Sequence, residues 1–197
     1  MKSLELWFLR TTAIVCLLLK RDAQAISHWH RILALNPGDT PENARIIASI
    51  AHSQAALGRP GEAIALLYRS LEMESDQPAN WFNLGYLLQQ DGADEDAAMA
   101  LLRATRLDPK LDRAWYGLAL SLIKLGRVEE AVDALKRNTE LQPLSPYGWY
   151  QLAHAHLRLG QRDEAETVIR RIAKFEPKVA QQLERETGIA SGVNLPF

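Results

Sequence analysis

From Trp115 to Leu135 the apolar residues return at three- and four-residue steps: Trp115, Leu118, Ala119 and Leu122, then Ala131, Val132 and Leu135. That spacing lays one apolar stripe along each of two α-helices, with the break between them at Gly126. Glycine closes a helix C-terminus in the left-handed conformation without a Cβ penalty, so the pattern predicts a helix, a reversal at Gly126 and a second helix. Pro143 then ends the second helix, because it has no N–H and biases the residue before it away from helical geometry. The chain restarts at Ser145, predicted to cap the free N–H groups of the next helix, with Pro146 in the first helical position.

The same punctuation recurs along the chain. "LGRVEEAVDAL" (125–135) has close relatives in "LGRPGEAIALL" (57–67) and "LGQRDEAETVI" (159–169). Gly58, Gly92, Gly126 and Gly160 are spaced by 34 residues, as are Ala63, Ala97, Ala131 and Ala165, the tryptophans 81, 115 and 149, and the prolines 109, 143 and 177. Four residue types in one register define a repeated helical hairpin. The pattern W-x2-L-[GA]-x2-[LH], then G, A, a large apolar residue and P, resembles the tetratricopeptide repeat.

This resemblance implies an all-α fold, a right-handed α-solenoid of stacked helix-turn-helix hairpins in a single domain over 1–188. The copies run over 44–77, 78–111, 112–145 and 146–179. In the first of these Ile47 stands in the tryptophan place and Ser75 in the proline place. A degenerate copy over 6–39 precedes them, with Ala25, Trp29, Ile32 and Pro37 in register and a first helix expected from Leu4 to Leu19. Its turn residue is Lys20, 38 residues before Gly58 and so four more than the period. The extra residues lie in "GDTPEN", where Thr40 and Pro41 read as an N-cap and a first-turn proline. Residues 178–188 are expected to form a polar capping helix, and 189–197 a flexible tail.

In the tetratricopeptide family the first helices of successive copies line a groove that binds peptides or extended protein segments. Carried onto this chain residue by residue, the groove positions are Arg45 and His52, then Phe82, Asn83, Tyr86 and Gln89. Arg113, Tyr116, Leu120 and Lys124 follow, and then Tyr147, Tyr150, Gln151, His154 and Arg158. The lining so read is aromatic with basic and amide groups and has no carboxylate, a combination suited to rigid contact and to holding backbone or acidic groups. A subset of the family clamps the terminal carboxylate of chaperone tails. Asn83 and Arg113 match that set, but Ala48, His52 and Gly117 replace its other members, so no such receptor is expected.

Composition narrows the function further. With 23 Lys plus Arg against 24 Asp plus Glu, the net charge of −1 supplies no field for a nucleic acid partner, which needs clustered cations. The one cysteine, Cys16, excludes an internal disulfide and any multi-cysteine zinc site. In "HWH" (28–30) and "HAH" (154–156) the histidines are two residues apart, on nearly opposite helix faces, so neither pair chelates one ion. The acidic stretch at 94–98 opens a second helix and complements its dipole. No nucleophile elbow, phosphate loop or dinucleotide fingerprint is present. The expectation is a non-enzymatic adaptor with no cofactor, no metal and no small-molecule substrate, whose partner is a protein or peptide.

The N-terminal segment is a separate clue. Its basic start, apolar stretch and Ala23-Gln24-Ala25 resemble a signal peptide, but Glu5 and Arg10 interrupt the stretch and Lys20, Arg21 and Asp22 follow it. Thr11 to Leu19 is also far short of the roughly 20 residues that span a bilayer. A cytoplasmic location is expected over a membrane-associated or exported one. A helix apolar nearly all round is normally buried on several sides, so residues 4–19 are expected to be covered, through a homo-oligomer, a membrane surface or a larger partner. The alternative function is accordingly a structural assembly subunit that oligomerises or contacts a membrane through this helix. A regulatory part of a glycosyltransferase-like enzyme is a third reading carried by family analogy alone.

Overall fold

A computed structural model describes residues 2–193, and eleven α-helices account for the regular structure there. The chain falls into two compact units, residues 1–93 and 94–197. The N-terminal unit contains α1 (Lys2–Leu18), α2 (Asp22–Leu35), α3 (Pro41–Ala56), α4 (Pro60–Met73) and α5 (Pro78–Asp91). The C-terminal unit contains α6 (Asp94–Leu107), α7 (Asp112–Lys124), α8 (Val128–Leu141), α9 (Pro146–Arg158), α10 (Arg162–Ala173) and α11 (Pro177–Thr187). Within each unit every helix packs on its neighbours in sequence, α1 on α2, α3 on α2 and α4, and α7 on α6 and α8. This is the helix-turn-helix stack of an all-α solenoid.

The turns form as the glycine register requires. Gly58, Gly92, Gly126 and Gly160 have φ of 75°, 81°, 75° and 71°. In each case the residue after the glycine donates its N–H to the carbonyl five positions back, as in Arg127 N to Leu122 O at 2.9 Å and Gln161 N to His156 O at 2.9 Å. The glycine itself donates to the carbonyl three back, which completes a Schellman closure. Lys20 makes the same turn with φ of 55°, and Arg21 N reaches Cys16 O at 2.8 Å. The degenerate copy therefore keeps the geometry of its turn while holding a side chain in the left-handed region.

Packing follows the small residues. Ala63, Ala97, Ala131 and Ala165 have no accessible surface, nor have Ala119 and Ala153. Small side chains that are fully covered let neighbouring helices of a unit pack closely, and the larger residues Leu67, Leu101, Leu135 and Ile169 are buried as well. In the N-terminal unit Leu9, Ala13, Cys16, Ala25, Trp29 and Ile32 form one cluster with Ile46 and Ile50.

Hydrogen bonds from in-register side chains tie one copy to the next. The indole N–H groups of Trp81, Trp115 and Trp149 donate to the carbonyls of Ser75, Pro109 and Pro143, six residues back in each case, at 2.7, 3.0 and 3.1 Å. The register place of the proline thus supplies the acceptor even where Ser75 replaces it. Thr40 caps α3 as expected, its hydroxyl accepting from Asn43 N at 3.2 Å. The Asn43 side chain pins the inserted loop through the carbonyls of Asn36 and Gly38, at 2.8 and 2.7 Å. Ser145 occupies the N-cap of α9 but its hydroxyl makes no capping bond, so Pro146 alone supports that helix start.

The two ends of the described chain differ in how they are covered. Helix α1 is buried on one side only, at Leu9, Ala13 and Cys16, while Leu4, Trp7 and Leu18 are 74, 63 and 78% exposed. Nothing in its own unit covers the second apolar side. The expected tail is packed as far as residue 191: Ile189 and Ser191 are buried, and Ser191 donates from both N and Oγ to Glu184 on α11. Residues 194–197 of that segment lie outside the described residues.

One contact varies in a compensated way. Asn138 on α8 donates to Asp112 O at 2.9 Å, and a Cβ on Gly148 of α9 would stand 2.1 Å from Asn138 Oδ1. One period earlier the same two places hold Ala104 and Ala114, and two periods earlier Ser70 and Asn80, whose side chains meet at 3.5 Å. Gly148→Ala is expected to cost about 1–3 kcal/mol through overpacking. Adding Asn138→Ala, which recreates the alanine pair, is expected to recover most of that loss in a denaturant double-mutant cycle. Lys20→Gly is expected to stabilise the protein by up to about 1 kcal/mol, relief of the left-handed strain outweighing the added freedom of the unfolded chain. Thermal unfolding of the two forms measures the gain.

Candidate functional site

The carried-over groove residues all lie on first helices of the hairpins: Arg45 and His52 on α3, and Phe82, Asn83, Tyr86 and Gln89 on α5. Arg113, Tyr116, Leu120 and Lys124 lie on α7, and Tyr147, Tyr150, Gln151, His154 and Arg158 on α9. His52, Tyr86, Arg113, Tyr147 and Arg158 are exposed, and Tyr116, Tyr150 and His154 are half-buried.

In the C-terminal unit these side chains converge. Tyr116, Tyr147, Tyr150 and Gln151 join Pro146 and, from α11, Val179 and Gln182 around a cavity of about 330 Å³. Its aromatic members arrive one helical turn apart on α9 and from the facing side of α7, which is why single-turn spacing in sequence becomes one slot in space. Burial raises the Tyr116 phenol pKa, and a hydrogen bond with Gln151 works against that rise. Tyr147 stands 70% exposed at the slot's edge.

Beside the slot, Tyr150 and His154 are held by the capping helix. The Tyr150 hydroxyl donates to Glu186 Oε2 at 2.7 Å, and His154 Nε2 lies 3.1 Å from the same oxygen. Gln182 donates to Glu186 Oε1 at 2.8 Å, and the Tyr150 and His154 rings meet edge-on at 4.7 Å. The Gln182 amide and then the Tyr150 hydroxyl hold the Glu186 carboxyl below the usual carboxylate range. In return, the need to keep a proton on the Glu186 hydrogen bond raises the Tyr150 phenol.

The lining expected to lack carboxylates therefore contains them. Besides Glu186, Glu74 pairs with Arg45 at 3.0 Å and Asp94 pairs with Lys124 at 3.0 Å. None of the three comes from a first helix: Glu74 follows α4, Asp94 opens α6 and Glu186 lies near the end of α11. Reading groove positions along first helices could not find them. The only sequence signal was the polar face of the capping helix. In the N-terminal unit the first-helix face between α1 and α3 likewise carries an ion pair between Arg10 and Glu42, beside Arg45 and Ser49.

Among the described residues no group of three or more His, Cys, Asp or Glu is placed to hold a metal ion, and no helix is long and apolar enough to cross a membrane. Cys16 is buried, its Sγ 3.9 Å from Gln24 Oε1.

Comparison with known proteins bears on the fold. Residues 58–138 match a family model described as anaphase-promoting complex, cyclosome, subunit 3, and residues 146–179 match one described as tetratricopeptide repeat. No curated protein matches the chain at a significant level. Among solved structures, one of MamA protein aligns over 98% of this chain and 98% of its own, with a TM-score of 0.77 at 18% identity. MamA from Desulfovibrio magneticus RS-1 aligns over 93% of this chain and 97% of its own, with a TM-score of 0.74 at 18% identity. YrrB, described as a TPR protein with an unusual peptide-binding site, aligns over 88% of each chain, with a TM-score of 0.76 at 16% identity. These likenesses carry the fold. The repeat match at 146–179 has the bounds of the last hairpin read from its tryptophan, glycine, alanine and proline, so this chain carries the tetratricopeptide repeat.

Proposed function

We propose that the protein is a non-enzymatic interaction scaffold that binds an extended peptide or protein segment on the first-helix face of its hairpins. The observation that carries this reading is the convergence of Tyr116, Tyr147 and Tyr150 on one open slot between α7, α9 and α11. Tyrosines give rigid contact area at low entropic cost, and Gln151 and Gln182 beside them supply amide donors and acceptors for a bound backbone. YrrB's description as having a peptide-binding site agrees with such a use of the fold. Because Arg45, Lys124 and His154 already face carboxylates of the chain itself, selectivity on this face rests on aromatic and amide contacts more than on charge. The mechanism is equilibrium binding on a largely preformed surface, without a chemical step.

A second reading, a structural assembly subunit, is favoured by the uncovered side of α1, where Leu4, Trp7, Phe8 and Leu18 face outward. A single experiment separates the two. Peptides selected from a random library on the purified protein are expected to lose about tenfold or more in affinity, roughly 1.4 kcal/mol, when Tyr116, Tyr147 and Tyr150 are changed together to Ala. Selected peptides that bind the triple variant as tightly as the parent, and lose binding when Trp7 and Phe8 are changed to Ser, sink the groove reading and leave the assembly reading.

Glu186 gives this face one pH-dependent contact. Its folded pKa is depressed below the ordinary 4.5, so the stabilisation that it adds to the seat of α11 is complete above that value and is lost as pH falls through the depressed one. Carboxyl carbon NMR is expected to show Glu186 titrating below 4.5 in the parent, and moving back up in Gln182→Ala and in Tyr150→Phe. An unchanged titration in both variants contradicts the proposed hold.

A further inference from the structure

The second-helix face of the C-terminal unit carries a feature that groove binding does not use. Between α6, α7 and α8 lies a cavity of about 360 Å³ with Trp115, Leu118 and Leu122 of α7 at its base and Met99 and Leu102 of α6 along one wall. Met99 is 61% exposed and Leu102 37%. A cavity in the corresponding place of the next copy, between α8, α9 and α10, is floored by Trp149, Leu152 and His156. The scaffold therefore makes this hollow as a matter of course, and only its lining varies.

The variation is chemical. The places of Met99 and Leu102 are taken by Asp133 and Lys136 one period later, and by Thr167 and Arg170 in the last copy. One period earlier they hold Ala65 and Tyr68. Hairpin packing thus places no apolar demand on these two positions, since later copies fill them with charge and with threonine and still form α8 and α10. An exposed Met–Leu pair on the rim of a hollow with an apolar base is a cost in water that the fold itself does not require.

The charge around the hollow is one-sided. Its charged lining residues are Glu95, Glu130, Asp133 and Arg127, three acids against one base. The Arg127 guanidinium is held by Glu130 through two bonds, Nε to Oε1 at 2.6 Å and Nη2 to Oε2 at 2.8 Å. Glu95 and Asp133, both exposed, then set the sign that an incoming segment meets. A base that accepts a side chain and a negative rim together define the complement: an aliphatic anchor with cations beside it.

We propose that this hollow is a second docking site, separate from the tyrosine slot, which takes a leucine-sized side chain from a short partner segment bearing Lys or Arg next to that anchor. Methionine suits this role because its unbranched thioether adapts to the entering group. The anchor displaces water from the Trp115, Leu118 and Leu122 surface, while its cationic neighbours meet Glu95 and Asp133. The two faces allow one chain to hold two partners at once.

The test uses the full chain and three short fluorescent peptides: lysines around a Leu-Leu pair, glutamates around the same pair, and lysines around a Ser-Ser pair. Oxidation of Met99 by dilute peroxide, followed by mass spectrometry with Met73 as internal reference, is expected to slow only with the lysine–leucine peptide. Met99→Asp with Leu102→Lys installs the residues that the next copy carries, so the fold tolerates it, and it is expected to weaken anisotropy-monitored binding about tenfold or more. Glu95→Lys with Asp133→Lys is expected to shift preference to the glutamate–leucine peptide. Failure of the lysine–leucine peptide to protect Met99 overturns the proposal, as does equal protection by the lysine–serine peptide. Concentration-dependent protection of Met99 in the protein alone also overturns it, by assigning the surface to a second copy.

Discussion

Everything in this protein depends on how closely two helices of a hairpin approach each other. At Ala63, Ala131 and Ala165 the accessible surface is zero, and any larger side chain would force the helices apart. A pair held this close still leaves one apolar side open, and only the next helix closes it. The 34-residue period is the sequence consequence of that mutual need. Each copy must present the same small residue, the same large neighbour and the same turn at the same distance, or the next copy has nothing to pack against.

The joints between copies are fixed by polar groups on that framework. The tryptophan contributes more than volume: its N–H reaches back to the carbonyl six residues upstream and sets how one hairpin follows another. The acceptor is a backbone atom, which is why Ser75 serves as well as proline. The Asn138–Gly148 contact shows the complementary freedom, since three copies solve one joint with three different pairs of residues. Packing constrains the sum of the two side chains more than either one alone.

The proposed binding surfaces use positions that the stack does not dictate. Tyr116, Tyr147 and Tyr150 collect on the first-helix face, and Met99 with Leu102 on the second-helix face, both within the C-terminal unit. The capping helix does more than shield the last hairpin: through Glu186 it holds Tyr150 and His154 of α9. The uncovered side of α1 offers apolar surface at the other end of the sequence.

The residues by themselves determined the period, the helix boundaries to within a few positions and the glycine turns, because these follow from local spacing and from backbone preferences. They also pointed to Thr40 as a cap and to Lys20 as the odd turn residue, again local matters. Tertiary structure decided what local rules cannot reach. It brought Glu74, Asp94 and Glu186 to cations and to a tyrosine from outside the first helices, it decided which side of α1 packs on its own unit, and it packed Ile189 and Ser191 where a tail was expected. These outcomes depend on which side chains meet across separate helices, and a pattern read along one helix at a time holds no information about that meeting.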